Sequence, residues 1–181
     1  MRTYIALFRG INVGGTGSLS MKDLVALLTE LGATSVQTYI QSGNAVFCYS
    51  GDSPEKLGAS ILMRINTRFG FEPALQLWTR EELEAAVLAN PFPEAEALPA
   101  TLHLGFLASV PAQPDLEAIE ALRDHGEEFR LAGRVFYLKA PAGVGRSKLA
   151  ARSEKLLGVS MTDRNWRTVS TLLEMARALA G

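Results

Sequence analysis

Val36-Gln37-Thr38-Tyr39-Ile40-Gln41-Ser42-Gly43-Asn44-Ala45-Val46-Phe47-Cys48-Tyr49 decides the fold. Two runs rich in β-branched and aromatic residues, Val36 to Ile40 and Ala45 to Tyr49, flank Ser42-Gly43, a hairpin signal. What surrounds the hairpin fixes its setting. Upstream, Thr3 to Ile11 reads as a strand, apolar on both faces apart from Arg9 and therefore central in its sheet. Between that strand and the hairpin, Ser20 offers an N-cap for a helix over Met21 to Leu31, with Asp23 in its first turn. Leu24, Leu27, Leu28 and Leu31 give that helix a buried stripe, and Gly32 stops it. Downstream, Ser53-Pro54 opens a second helix with Leu57, Ile61, Ile65 and Phe69 on one side, ended by Gly70. Pro73 to Trp78 reads as a fourth strand. The order is β-α-β-β-α-β.

Thr79 and Glu82 form a capping box for a helix to Ala89. Asn90-Pro91-Phe92-Pro93 breaks it, and the stretch to Pro99 reads as a linker. The order then restarts. Thr101 to Ala108 is a strand and Asp115 to Leu122 a helix. Glu128 to Leu131 and Arg134 to Lys139 form a hairpin about Ala132-Gly133. Ser147 to Leu157 is a helix, Val159 to Met161 a short strand, and a closing helix runs from about Asn165 to Ala180. Each half has the split βαβ arrangement of ferredoxin-like folds. The expectation is an α+β chain of two tandem ferredoxin-like subdomains, 1–78 and 101–181, joined by a helix and Pro-rich linker over 79–100, with a C-terminal helix.

The 181 residues are 48% hydrophobic and 20% charged, enough to bury a core and unlike a disordered chain. Tyr4-Ile5-Ala6-Leu7-Phe8 is too short for a secretion signal, and no apolar run spans a bilayer. The single cysteine, Cys48, excludes an intrachain disulfide and fits a reducing cytoplasm. Charge is uneven. Glu81 to Glu128 holds eleven acidic residues against one basic, Arg123, whereas Phe129 to Arg167 holds nine basic against two acidic. Such a basic segment attracts phosphate or nucleic acid, unless the two blocks offset each other in the fold.

In a split βαβ sheet the first and third strands are neighbours. The turn before the third strand therefore lies at the sheet edge where the first strand ends. Arg9-Gly10-Ile11-Asn12-Val13-Gly14-Gly15 and Gln41-Ser42-Gly43-Asn44 should converge there. The convergence gathers Arg9, Asn12, Gln41, Ser42 and Asn44 around Gly14 and Gly15, which permit a ligand close to the backbone. A following helix N-terminus favours an anion. The site reading is phosphate or carboxylate; the competing reading is a tight hairpin and a flexible loop. A second candidate is Ala142 to Lys148, where Ser147 caps a helix and the flanking Arg146 and Lys148 either hold a phosphate or are solvated charges. It lacks the spacing of a nucleotide-hydrolysing phosphate loop. A third is Thr162 to Thr168, where Thr162 or Asp163 caps the last helix and Arg164 and Arg167 contact phosphates or dock the helix onto acidic neighbours.

No motif for catalysis emerges. His103 and His125 lack ligand spacing with Cys48, so neither metal nor cofactor is expected. There is no Gly-x-Ser-x-Gly elbow and no Gly-x-Gly-x-x-Gly fingerprint.

Tyr4 to Gly15, Met21, Leu24, Leu31-Gly32 and Thr38 to Asn44 together resemble an uncharacterised bacterial family classed as a domain of unknown function. Asn90-Pro91-Phe92, Ser147-Lys148-Leu149 and Thr162 with Arg164-Asn165-Trp166 extend the resemblance along nearly the whole chain, with Arg167 a departure where a second Asn is expected. The resemblance implies two related α+β subdomains and no known reaction. It marks Arg9, Asn12, Gln41, Ser42, Asn44, Ser147, Lys148, Arg164 and Asn165 as its polar motif members. The functional expectation is a cytoplasmic binder of a phosphate-bearing small molecule or nucleic acid, not membrane-bound. The alternatives are a metal-independent enzyme on a small metabolite and a protein interaction module.

Overall fold

β2 (Thr34–Tyr39) and β3 (Asn44–Tyr49) pair antiparallel as the hairpin, with Tyr39 opposite Asn44, in a computed structural model that describes residues 1–15, 17–51 and 53–179. Gly43 closes the turn in the left-handed region at φ 81°, where a Cβ would lie 2.5 Å from Ile11 Cδ1 and 2.7 Å from Phe8 Cβ. Only glycine meets both demands. β1 (Arg2–Arg9) pairs antiparallel with β3 and with β4 (Ala74–Thr79), giving the order β2-β3-β1-β4. β1 is therefore central, as its apolar faces require. It stops at Arg9, two residues short of the expected end, because Gly10 turns the chain at φ 84°. β2 begins at Thr34, two residues before the expected start, and carries a bulge next to Ser35, whose φ is 53°.

α1 (Met21–Glu30) is capped by Ser20, which accepts from Asp23 N, and α2 (Pro54–Phe69) by Ser53, which accepts from Lys56 N. Gly70 ends α2 in the left-handed conformation that commonly terminates helices. Both helices lay their stripes on one face of the sheet: Leu24, Leu27 and Leu28, with Leu57, Ile61 and Ile65, pack with Tyr4, Ala6, Phe8, Ala45 and Phe47. Each such side chain removed from water stabilises the fold by about 1.5–3 kcal/mol. The opposite face, with Ile5, Leu7, Val46 and Cys48, is buried as well. α3 (Arg80–Leu88) starts with the expected capping box: Glu82 Oε2 accepts from Thr79 N at 2.8 Å, and Thr79 Oγ1 from Glu82 N at 3.2 Å.

The chain divides into two compact units, residues 1–85 with 171–181, and residues 86–170. Unit 2 repeats the pattern. β5 (Leu102–Leu107) lies between β7 (Val135–Lys139) and β8 (Met161–Asn165), and β6 (Glu128–Ala132) pairs with β7, giving the order β6-β7-β5-β8. α4 (Leu116–Ala121) and α5 (Lys148–Leu157) bury Ile119, Leu149 and Leu157 with Leu107, Phe136 and Leu138. The stretch after Asn90, expected as a linker, forms a 3-10 turn over Pro93–Ala97 and buries Phe92 and Ala95.

β8 departs most from its expected position. Val159 to Met161 was the expected strand, yet pairing with β5 runs from Met161 to Asn165. An edge strand needs a ladder on one side only, so Thr162, Asp163, Arg164 and Asn165 serve there despite their polarity. Neither Thr162 nor Asp163 caps the last helix, α6 (Trp166–Ala178); Asn165 does, its Oδ1 accepting from Thr168 N at 3.0 Å. Thr16 of the glycine loop and Ala180, the expected end of the closing helix, lie outside the described residues. Among the described residues, no helix is long and apolar enough to cross a membrane. The fold is α+β with two ferredoxin-like repeats.

Candidate functional site

The end of β1 and the β2–β3 turn meet, and Asn12 joins them. Its Nδ2 donates to Leu19 O at 2.7 Å and to Gln41 O at 3.1 Å, while its Oδ1 accepts from Leu19 N at 2.9 Å. Its backbone N donates to Gly17 O at 2.9 Å. The side chain imitates a strand partner for Leu19 and ties the loop after β1 to the hairpin turn across 29 residues of sequence. Asn12 sits at φ 54°, a region Asn tolerates better than most residues. Phe8 N donates to Gly43 O at 2.8 Å and fixes the same junction from the strand side.

Asn44 works in the opposite direction, inward. It is fully buried, and its Nδ2 donates to Tyr39 O and Ser42 Oγ, both at 3.1 Å. The amides of Asn12 and Asn44 are thus committed to holding the edge together. Arg9, Gly14, Gly15, Gln41 and Ser42 are exposed around them. Gly14 and Gly15 take φ of 61° and 78°, and a Cβ at either would meet nothing within 4 Å. Gly17 is tighter: a Cβ there would lie 2.4 Å from Gly10 O, so the loop closes on itself. Two apolar side chains are exposed beside the polar ones, Val13 at 64% and Ile40 at 51%, and Ile40 holds φ 49°. A β-branched residue in that region is strained, which often accompanies a functional surface. The first turn of α1 carries its own carboxylate, Asp23, hydrogen-bonded to Ser20, so the helix dipole there is already met from within the chain.

The remaining candidates belong to unit 2. Ser147 caps α5, its Oγ accepting from Ala150 N at 3.0 Å, and Lys148 is exposed. Arg164 Nη1 donates to Asp163 O at 2.8 Å. Desolvation lowers the pKa of its guanidinium, against an opposing pull from Asp163. Part of the acidic–basic division closes locally: Lys139 pairs with Glu94 at 3.0 Å and with Glu128, and lies over the Phe92 ring.

A model for the family described as a protein of unknown function, DUF1697, matches residues 1–137. The chain belongs to this family. Among solved structures, a conserved bacterial protein from Streptococcus pneumoniae, SP0830, is similar at 26% identity, covering 97% of this chain and 98% of that one with a TM-score of 0.71. No curated protein matches the chain. The part matched by the DUF1697 model includes both segments of the Asn12-bridged edge, while Ser147, Lys148, Arg164 and Asn165 lie beyond it.

One pair in this DUF1697 chain escaped sequence reading. His103 lacks ligand spacing with Cys48, and nothing in the sequence names its partner. Its Nδ1 lies 2.7 Å from Asp163 Oδ2 and its Nε2 3.2 Å from Ala100 O. With an acceptor at each nitrogen, the doubly protonated ring satisfies both. Desolvation pulls its pKa down, but the hydrogen bond and charge of Asp163, with the Ala100 carbonyl, outweigh it and leave the pKa above the ordinary 6.5. The two residues are sixty apart in sequence and meet only because β8 pairs with β5. Among the described residues no group of three His, Cys, Asp or Glu is placed to hold a metal.

Proposed function

We propose that this chain binds a phosphate-bearing ligand, a nucleotide or a nucleic-acid phosphate, at the edge where the loop after β1 meets the β2–β3 turn. The observation that carries the reading is the three-way bond of Asn12 to Leu19 and Gln41. It presents Arg9, Gln41 and Ser42 on a common exposed edge with glycines whose backbone a ligand can approach. Asn12 and Asn44 position this edge; Arg9 supplies charge, and Gln41 and Ser42 supply hydrogen bonds. The lone cysteine, buried in β3, suits a reducing compartment, and we assign the protein to the cytoplasm on that ground.

Isothermal titration with nucleotides and short oligonucleotides tests the reading. Removing one charge-assisted hydrogen bond costs roughly 1.5–3 kcal/mol, so Arg9→Ala should weaken binding about tenfold or more. For a nucleic acid, affinity should also fall steeply with salt, and Arg9→Ala should flatten that slope by about one. Binding that ignores Arg9, or no binding at all, refutes it. The exposed Val13 and Ile40 support a second reading, a protein-docking edge. Light scattering on wild type and Ile40→Ser checks this: association lost in the variant supports docking, and a monomer in both counts against self-association.

A further inference from the structure

Unit 2 holds a cavity of about 270 Å³ between its sheet and α5. One of its walls, Met161, lies over a glycine of the sheet. Gly105 lies in the central strand β5, with Phe136 on one side and Asp163 on the other as its cross-strand partners. Where a core side chain would fill the layer beneath α5, Gly105 supplies none. Met161 leans across instead, so close that a Cβ on Gly105 would lie 2.3 Å from its Sδ. The helix above offers only small groups, Ser147, Ala150, Ala151 and Ser153. Met161 and these short residues leave the layer incompletely filled.

The wall is apolar apart from a few groups. Phe136, Leu138, Val144 and Met161 line it with the two alanines. Ser147 Oγ already caps α5 and Ser153 Oγ donates to Ala150 O at 3.0 Å. Asp163 is the one charged residue lining the cavity. His103 holds its Oδ2 at 2.7 Å, and its side chain remains 46% exposed. Arg146 and Lys148 flank lining residues in sequence, but neither lines the cavity. An apolar hollow with one oriented carboxylate has the character of a small-molecule site. A cavity of about 150 Å³ holds benzene, so this one has room for an aromatic ring with a short arm.

We propose that the cavity beneath α5 binds a small apolar molecule bearing an ammonium group, with the body against Phe136, Leu138 and Met161 and the cation on Asp163. An anion of the same shape gains no such partner, because the charge of His103 is already taken up by Asp163, and binds more weakly.

The probes are 2-phenylethylamine, protonated at neutral pH, and 3-phenylpropionate, similar in size and opposite in charge. Methyl NMR of the full chain, labelled at Met and Ala, reports on Met161, Ala150 and Ala151. Fragments of this size bind at about millimolar Kd. The amine should shift these three methyls saturably, and the carboxylate should bind at least about tenfold more weakly. Asp163→Asn should erase the preference while the apolar body still binds. Ala151→Leu, at the exposed mouth of the cavity, leaves the His103–Asp163 pair intact and should block both probes. No saturable shift at about ten times the expected Kd overturns the proposal. So does equal binding of the two probes, or binding that survives Ala151→Leu. None of these outcomes bears on the Arg9 edge, whose test uses phosphates.

Discussion

Replacing Asn12 by alanine removes three hydrogen bonds at once. Two go to the buried Leu19, at 2.7 and 2.9 Å, and one to Gln41 at 3.1 Å. A net hydrogen bond is worth about 1 kcal/mol, and the exposed bond to Gln41 nearer the low end of that range. Alanine at φ 54° adds about 1 kcal/mol of left-handed strain that Asn tolerates. The expected loss is therefore roughly 3–4 kcal/mol for Asn12→Ala. Asn12→Gly adopts that φ freely and should lose roughly 2–3 kcal/mol, nearly all of it from hydrogen bonding. Urea denaturation gives the totals, and amide exchange locates them: Leu19 N should lose protection in both variants. Phosphate binding should weaken in step, although Asn12 touches no ligand in the proposed site. Arg9→Ala, by contrast, should leave Leu19 protected. An Asn12→Ala midpoint indistinguishable from wild type, or unchanged exchange at Leu19, would refute the claim that this side chain assembles the edge.

The remaining expectations concern unit 2. His103 has a folded pKa above 6.5, so its pairing with Asp163 stabilises the fold fully below that value and the contribution fades as pH rises through the folded pKa. The stability difference between wild type and His103→Asn should accordingly shrink from pH 5 towards pH 8, measured as denaturation midpoints; a difference that grows with pH refutes the imidazolium assignment. Gly105→Ala should cost about 1–3 kcal/mol by driving Cβ into Met161 Sδ. Adding Met161→Ala should recover roughly 1 kcal/mol of coupling in a double-mutant cycle, and strict additivity would show that the two side chains do not compete for the same space.

Much of this protein is written in local sequence. Ser20, Ser53, Thr79 with Glu82, Asp115 and Ser147 all cap the helices that follow them, because a cap depends on backbone within one turn. The leucine and isoleucine spacings of α1 and α2 gave their buried faces for the same reason. Element order alone supplied the sheet topology, and topology brings Asn12 to the turn that holds Gln41. β8 shows where local reading stops. Thr162 to Asn165 has no apolar alternation, so nothing in its own composition marks a strand; its partner β5 confers the conformation by hydrogen bonding across the sheet.

The candidate edge divides the same way. Its location followed from sequence, since a split βαβ order fixes which turns share an edge. The roles within it did not. Asn12 and Asn44 read as ligand donors alongside Arg9 and Gln41, yet an amide contacts whatever lies within about 3 Å, and that is a tertiary matter. The folded chain turns the Asn12 amide onto backbone groups and the Asn44 amide onto Tyr39 O and Ser42 Oγ, with Arg9, Gln41 and Ser42 exposed. The His103–Asp163 pair and the hollow beneath α5 were equally beyond reach, because each depends on which side chains the fold brings together. Sequence by itself determined the elements, their caps and their order. Only the tertiary structure decided which amides tie the edge together and which polar residues lie exposed on it, because that choice rests on distances between residues far apart in the chain.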